Sequence, residues 1–174
     1  GQKRIRACLQ ASSTISLAAV VDVNRKIAKE NGSRSGVVSG TTLRRVLRKT
    51  SCDAAIIAVP NIYHASCTIE ALSRGLHVLC EKPLASTGGG ADEIVRAAKQ
   101  YKRLVKTGSN HRFFPSIQKA YEIIQKGTIG KLLLFKGSIG NNGDHVKNNW
   151  FWNKHISGGG TFIDNGCHLI DIAR

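Results

Sequence analysis

The chain has 174 residues, of which 41% are hydrophobic and 21% are charged, and this composition indicates a globular protein of one domain and part of another. No apolar run approaches the roughly 20 residues of a membrane span, and the first residues lack the apolar region of a signal peptide, so we expect a cytoplasmic protein without a membrane partner. The 26 basic and 11 acidic residues give a net charge of +15, but the basic residues are scattered and lack an aromatic-rich motif, so we expect no nucleic-acid partner.

The cysteines are odd in number, widely spaced and without a C-x-x-C pair: Cys8, Cys52, Cys67, Cys80 and Cys167. Most lie in apolar or helical surroundings. This placement is typical of small core residues in a reduced, cytosolic protein.

Helical and strand patterns alternate along the first hundred residues. The spacing of apolar residues predicts helices over residues 2–11, 24–32, 43–48, 62–74 and 88–101. Apolar runs predict strands over residues 15–21, 53–59, 76–81 and 104–107. Continuous apolar strands separated by helices are typical of a parallel sheet that is covered on both faces. The predicted fold class is therefore α/β, with a doubly wound parallel sheet.

The composition changes near Gly108, where we place a domain boundary between residues 1–108 and 109–174. A helix is predicted over residues 115–125. The run KLLLFKGSI, residues 131–139, predicts a longer strand that leads into a polar segment rich in glycine and asparagine.

The apolar run before residue 81 ends at Glu81, Lys82 and Pro83. Proline lacks an N–H group and restricts the residue before it, so the strand cannot continue. In open α/β folds, ligands bind at the carboxyl ends of the strands. Lys82 is therefore either a group that handles substrate or an ordinary surface cation.

Gly1 and Asp22 are the residues that bear on a nucleotide site. A complete G-x-G-x-x-G fingerprint is absent, but Gly1 directly precedes a helix and is consistent with the last glycine of that motif. Asp22 ends a strand, where a carboxylate accepts hydrogen bonds from both ribose hydroxyls and repels a 2′-phosphate, which favours NAD over NADP. Asp22 is equally well explained as a cap of the next helix, and Arg25 nearby weakens the preference for NAD.

Asp164 and His168 follow three consecutive glycines, Gly158 to Gly160. The two residues are four positions apart, so their side chains share one face if a helix begins after the glycines. A carboxylate beside an imidazole orients the ring or raises its pKa, which suits a general acid/base. Two other interpretations stay open: a simple helical contact, and half of a metal site for which no third ligand has suitable spacing. We interpret Asp171, on the adjacent turn, as a structural acid.

The segments AVPNIYHA, GLHVLCEKPLA and GGGTFIDNGCHLID have an order and spacing that resembles the Gfo/Idh/MocA family of NAD(P)-dependent sugar and inositol dehydrogenases. The resemblance extends over residues 1–174. It implies a Rossmann-like domain that lacks its first strand, followed by the start of an α+β domain with a mainly antiparallel sheet, most of which lies outside this chain. We therefore expect an internal fragment with little activity alone, from a protein that is a homo-oligomer at full length.

The resemblance also implies roles for individual residues. Lys82 is implied as the catalytic lysine, Asp164 as its partner acid and His168 as the general acid/base. Besides Gly1 and Asp22, cofactor contacts are implied for Pro60, Asn61, His64, Glu81 and Lys82. Substrate contacts are implied for Asn110, Arg112, Asp164 and His168, and no metal is implied.

Two functions are compatible with these residues. The first is an oxidoreductase that moves a hydride between NAD(P) and a secondary alcohol of a cyclic polyol, sugar or sugar derivative. In that chemistry His168, oriented by Asp164, takes the hydroxyl proton, and Lys82 stabilises the charge that develops on the oxygen. The second is a non-catalytic regulator that binds a dinucleotide on the same fold. Loss of Lys82 or His168 would favour the regulator, and both residues are present.

Overall fold

The computed structural model describes residues 1–140, 142–143 and 150–174. The strands are β1 (Ala19–Val21), β2 (Val38–Gly40), β3 (Ala54–Ile57), β4 (His77–Cys80) and β5 (Val105–Thr107). The helices are α1 (Gln2–Gln10), α2 (Arg25–Ser35), α3 (Leu43–Leu47), α4 (His64–Ser73), α5 (Gly88–Tyr101), α6 (Pro115–Gln125), α7 (Lys154–Ser157) and α8 (Cys167–Ala173). The described residues also contain 3-10 turns at Asn61–Tyr63, His111–Phe113 and Trp150–Trp152 and a π-helical turn at Phe162–Gly166. Across the described ranges, no helix has the length and apolar character needed to cross a bilayer.

The strands form two parallel sheets. Strand β1 pairs with β2, and a second sheet has the order β3-β4-β5 with β4 in the centre. No ladder joins β1 to β3 within the described residues. Parallel strands connected by helices confirm the predicted α/β, Rossmann-like fold class.

The hydrophobic core lies between β4 and the helices α4 and α5. Leu72 of α4 and Cys80 of β4 have no exposed surface, and Val78 and Ala97 are almost as deeply buried. Burial raises the pKa of the Cys80 thiol to about 11, so this cysteine is an inert core residue. The core therefore fixes β4, the strand whose carboxyl end carries Lys82.

Helix α2 begins where the sequence predicts and ends later. The side chain of Asn24 caps its first turn. The predicted end at Asn31-Gly32 is wrong, because Gly36 is the residue that adopts the left-handed conformation, with φ of +67°. Gly32 instead permits close packing, since a Cβ added there would lie 2.5 Å from the Cβ atom of Ser39 in β2.

The sequence misses one strand and wrongly predicts another, because strand formation depends on a pairing partner as well as on the local sequence. Strand β2 was not predicted because residues 38–40 contain one large apolar side chain, yet pairing with β1 makes them a strand. The strand predicted over residues 131–139 is wrong, because these residues have no ladder partner in the described structure, and Leu133 and Leu134 are 86% and 79% exposed. The polar segment that follows lies mostly outside the described residues. The other predicted helices and strands are confirmed, with ends shifted by up to four residues.

Candidate active site

The carboxyl ends of the parallel strands β3, β4 and β5 form one edge. The ladder extends one residue beyond β4, because the Glu81 amide donates to the Ile57 carbonyl at 2.9 Å and the Gly108 amide donates to the Cys80 carbonyl at 2.7 Å. These backbone bonds hold Glu81 in line with the sheet. Lys82 follows immediately, so its side chain starts from a fixed point at the edge where ligands bind in such folds.

Glu81 is engaged by the first helix of the chain. Its carboxylate accepts a charge-assisted hydrogen bond from Arg4 Nε of α1. A Cβ added at Gly108 would lie 3.0 Å from Glu81 Oε2, so a glycine leaves the room that this carboxylate occupies. The predicted cofactor contact Glu81 is thus held at the strand edge by Arg4 of α1 and by its backbone bond to Ile57 of β3.

Lys82 and Asp164 are 82 positions apart in sequence and form a direct ion pair. Lys82 Nζ lies 2.6 Å from Asp164 Oδ1 and 2.7 Å from the Asp164 backbone oxygen. The side chains are 20% and 32% exposed, so the pair is partly shielded from water. The structure therefore brings two of the three predicted catalytic residues together, with the ammonium group fixed by two acceptors.

His168 is 4% exposed and is not oriented as expected. No hydrogen bond links it to Asp164, and its Nδ1 atom has no hydrogen-bond partner among the described residues. The π-helical turn over residues 162–166 interrupts the α-helical spacing on which the shared-face argument depends. The ring instead stacks on His111, with centroids 3.8 Å apart and planes 8° apart. His111 was not predicted as a site residue, and nothing in its local sequence marks it.

The pKa of His168 lies below its ordinary value of 6.5. Burial is the main cause, and the neighbouring His111 and Lys82 disfavour the imidazolium further. Asp164 and Asp171 act in the opposite direction but are outweighed. Asp164 therefore acts on this pKa in the predicted direction, but burial, His111 and Lys82 outweigh it and the net shift is downward.

The substrate contacts predicted after β5 lie on the 3-10 turn over residues 111–113. Arg112 Nε donates to Asp171 Oδ2 at 2.8 Å, and Arg112 Nη2 donates to Asp171 Oδ1. The hydrogen bonds and the charge of Asp171 raise the pKa of Arg112. Asn110 is exposed, and its backbone oxygen accepts a hydrogen bond from the Phe113 amide at 3.1 Å. Arg112 therefore attaches this turn to α8, while the Asn110 side chain stays accessible.

The loop after β3 is braced by side chains that point into the protein. Asn61, which is 4% exposed, donates from Nδ2 to the Ser157 carbonyl at 2.8 Å. His64 is 1% exposed, and its ring nitrogens lie 2.6 Å from the Pro83 oxygen and 2.9 Å from the Val59 oxygen. Both were predicted as cofactor contacts, and in this structure they fix the loops on which Pro60 and Lys82 lie.

Asp22 and Gly1 lie at the two remaining positions predicted to contact a nucleotide. Asp22 Oδ1 accepts from the Asn24 amide at 2.8 Å, just before α2, so Asp22 holds the capping residue Asn24 and is not itself the helix cap. Its Oδ2 atom has no partner among the described residues. Gly1 precedes α1, and nothing lies within 4 Å of a Cβ added there. An unpaired carboxylate oxygen and an uncrowded helix start fit the ribose and phosphate groups of a dinucleotide.

The alternative of a metal site gains no support. In the part of the chain that the structure describes, no three His, Cys, Asp or Glu side chains are grouped as metal ligands would be. Asp164 is occupied by Lys82, and His168 faces His111.

Comparison with known proteins gives two family matches. Residues 1–109 match the family model described as "Oxidoreductase family, NAD-binding Rossmann fold", and residues 117–174 match the model of the GFO/IDH/MocA C-terminal domain. Levoglucosan dehydrogenase of Pseudarthrobacter phenanthrenivorans is 31% identical over 159 residues, which cover 89% of this chain and 41% of that protein.

Solved structures give the same picture. A levoglucosan dehydrogenase in complex with NADH and levoglucosan has a TM-score of 0.81 and 30% identity, covering 90% of this chain and 44% of that one. Myo-inositol 2-dehydrogenase from Lactobacillus plantarum has a TM-score of 0.89 and 25% identity, covering 100% of this chain and 52% of that one. The chain thus spans about half the length of the relatives that it matches.

Proposed function

The chain belongs to the Gfo/Idh/MocA family of oxidoreductases, and we propose that the full-length protein transfers a hydride between NAD(P) and a secondary alcohol of a cyclic polyol, sugar or sugar derivative. The observation that carries this proposal is the ion pair between Lys82 and Asp164 beside the buried His168. A cation, a carboxylate and an imidazole from two segments distant in sequence converge at the edge of the sheet. Relatives that act on levoglucosan and inositol support a polyol or sugar as substrate.

The proposed cofactor is NAD, with NADP as the alternative. Asp22 would hold the ribose nearest the adenine through its unpaired Oδ2, and Glu81 would contact the ribose on the nicotinamide side. The start of α1 at Gly1 would offer backbone amides to the phosphates. When bound, the nicotinamide supplies the hydride acceptor. The solved relative in complex with NADH supports this choice.

The chain's own residues would manage the proton and the charge. His168, kept neutral by burial, would accept the proton from the substrate hydroxyl as the C–H bond breaks and the C=O bond forms. Lys82 would donate a hydrogen bond to the same oxygen and stabilise its developing negative charge. Asp164 would fix Lys82 Nζ through its carboxylate and its backbone oxygen, so that the ammonium group is already placed when substrate arrives.

We assign the remaining predicted residues as follows. Asn110, accessible at the start of the 3-10 turn, would contact substrate, whereas Arg112 would act by holding that turn on α8. Asn61 and His64 would fix the loop that carries Pro60, which would line the cofactor. We divide the chain at residue 108 into a cofactor domain, residues 1–108, and the start of a substrate domain, residues 109–174. The first family match ends at residue 109 and the second begins at residue 117, which supports that division.

We also propose that the full-length protein is a cytoplasmic homo-oligomer. Leu133 and Leu134 belong to an apolar run that is largely exposed in the described structure. Such a run is expected to pack against further protein, either in the same chain or in a second copy.

The test is an assay of the full-length protein with a panel of cyclic polyols, sugars and sugar derivatives, with NAD and NADP in turn. We expect absorbance of reduced nicotinamide to rise with at least one substrate and faster with NAD. Saturable binding of NAD without turnover on any substrate would favour a non-catalytic regulator. The absence of both binding and turnover would contradict the proposal.

A further inference from the structure

We propose that His111 is a positioning residue, which fixes the ring plane of His168 and holds that ring ready to accept a proton. This inference rests on the proposed function, because it assigns His111 a purpose in the same site. It comes from a contact between two elements, the 3-10 turn over residues 111–113 and helix α8, that no sequence motif predicts.

The geometry of the stack restrains His168. The two imidazole rings are nearly parallel, with planes 8° apart and centroids 3.8 Å apart, which is van der Waals contact across the whole face. Phe114 continues the stack on His111, with centroids 4.7 Å apart. Since Nδ1 of His168 makes no hydrogen bond with a described residue, the stack on His111 is the described contact that restrains the plane of the ring.

The stack is secured by an ion pair next to it. Arg112 follows His111 in sequence, and Asp171 lies one turn beyond His168 on α8, so the Arg112–Asp171 pair joins the same two elements. Gln118 in the first turns of α6 donates to the Arg112 backbone oxygen and ties the turn to a third element. His111 is thus presented to His168 by a braced turn and not by a free loop.

The stack also affects the charge of His168. The groups that face His168 are His111 from the 3-10 turn, Lys82 from the end of β4, Asp164 from the π-helical turn and Asp171 from α8. A proton on His168 would add a positive charge next to the Lys82 ammonium group and next to any charge on His111, and Coulombic repulsion disfavours it. Neutral imidazole is the form that accepts a hydroxyl proton, so burial, His111 and Lys82 favour the state of His168 that the proposed chemistry requires.

Two variants of the full-length protein separate ring packing from charge. His111→Phe keeps a flat ring against His168 and removes the titratable neighbour, so kcat on the alkaline plateau should stay near wild type while the acid limb of the kcat/KM profile moves to higher pH. His111→Ala removes the stack, so kcat should fall about 10- to 100-fold, as expected when a catalytic group loses its alignment, with the KM for NAD little changed. The exposed His155→Phe is the matched control and should change neither quantity.

A second readout does not depend on turnover. NMR titration of the His168 ring, assigned by its absence in His168→Gln, should give a higher pKa in His111→Phe than in wild type, while thermal melting reports whether each variant folds. If the wild-type protein were inactive, the proposed function would be contradicted. The NMR titration of His168 would still test whether His111 acts on that ring. If the His168 titration and the pH profile were the same in wild type, His111→Phe and His111→Ala, the inference would be overturned.

Discussion

The two halves of the proposed site are held in different ways. Glu81 and Lys82 extend from β4, the central strand of a three-stranded ladder. The Glu81 amide continues the bonding to β3, and the Gly108 amide bonds Cys80 at the end of β4. Asp164 and His168 belong to a segment that reaches this edge through side chains, namely the Lys82–Asp164 pair, the Arg112–Asp171 pair and the stack on His111. The backbone hydrogen bonds that hold the first half do not depend on any one side chain. The second half is held by individual side-chain contacts, each of which a single substitution can remove. Single substitutions should therefore affect the two halves differently.

The largest effect is expected in the second half, from His168→Gln. This variant removes the group that accepts the proton and should lower kcat about 10²- to 10⁴-fold, the usual contribution of a general base. Steady-state rates of NAD reduction by the full-length protein measure the effect. The exposed His155→Gln should behave as wild type. A His168→Gln enzyme with kcat within twofold of wild type would show that another group takes the proton.

The next effect concerns the stability of the first half. Leu72 has no exposed surface and packs in the core under β4, so Leu72→Ala should lower the free energy of unfolding by about 2–5 kcal/mol. Leu133 is 86% exposed, and the same leucine-to-alanine change there should cost less than about 0.5 kcal/mol in this chain. Urea unfolding of both variants gives the comparison. Equal losses would mean that the region after α6 is packed in solution.

The smallest effect is expected from Asp164→Asn, which keeps the side chain's shape and the backbone acceptor of Lys82 but removes one negative charge. We expect kcat to fall about tenfold as a charge-assisted hydrogen bond becomes an ordinary one. Because the Asp164 carboxylate raises the pKa of His168, its removal should move the acid limb of kcat/KM to lower pH. The exposed Asp92→Asn controls for a general change of charge. A shift of the limb to higher pH would contradict the assigned electrostatics.

The sequence predicts those features of the fold that depend on local signals. Asn24 caps α2, Gly75 ends α4 with φ of +81°, and Pro83 stops β4, and in each case the residue type itself favours the observed backbone. These signals were sufficient to place Lys82 at the edge of a parallel sheet. The resemblance to the family then implied the partners of Lys82.

Features that depend on a distant partner could not be predicted. Residues 131–139 have a good strand pattern but no partner among the residues that the structure describes, whereas Val38 to Gly40 have a poor pattern and a partner in β1. The spacing of Asp164 and His168 indicated a contact between them. In the structure a π-helical turn interrupts that spacing, and the Asp164 carboxylate pairs with Lys82 instead. The stack on His111 joins residues 57 positions apart, and no local signal encodes it.

The central claim, that Lys82 is the cationic centre of a hydride-transfer site, is tested most directly by comparing kcat of Lys82→Met and wild type in the full-length protein. Methionine retains an unbranched apolar chain, so the change removes the ammonium group and little else. The account predicts that kcat falls about 10²- to 10³-fold, as when one donor to a developing oxyanion is lost, while the exposed Lys99→Met has no effect. A Lys82→Met enzyme that turns over at the wild-type rate would contradict the account.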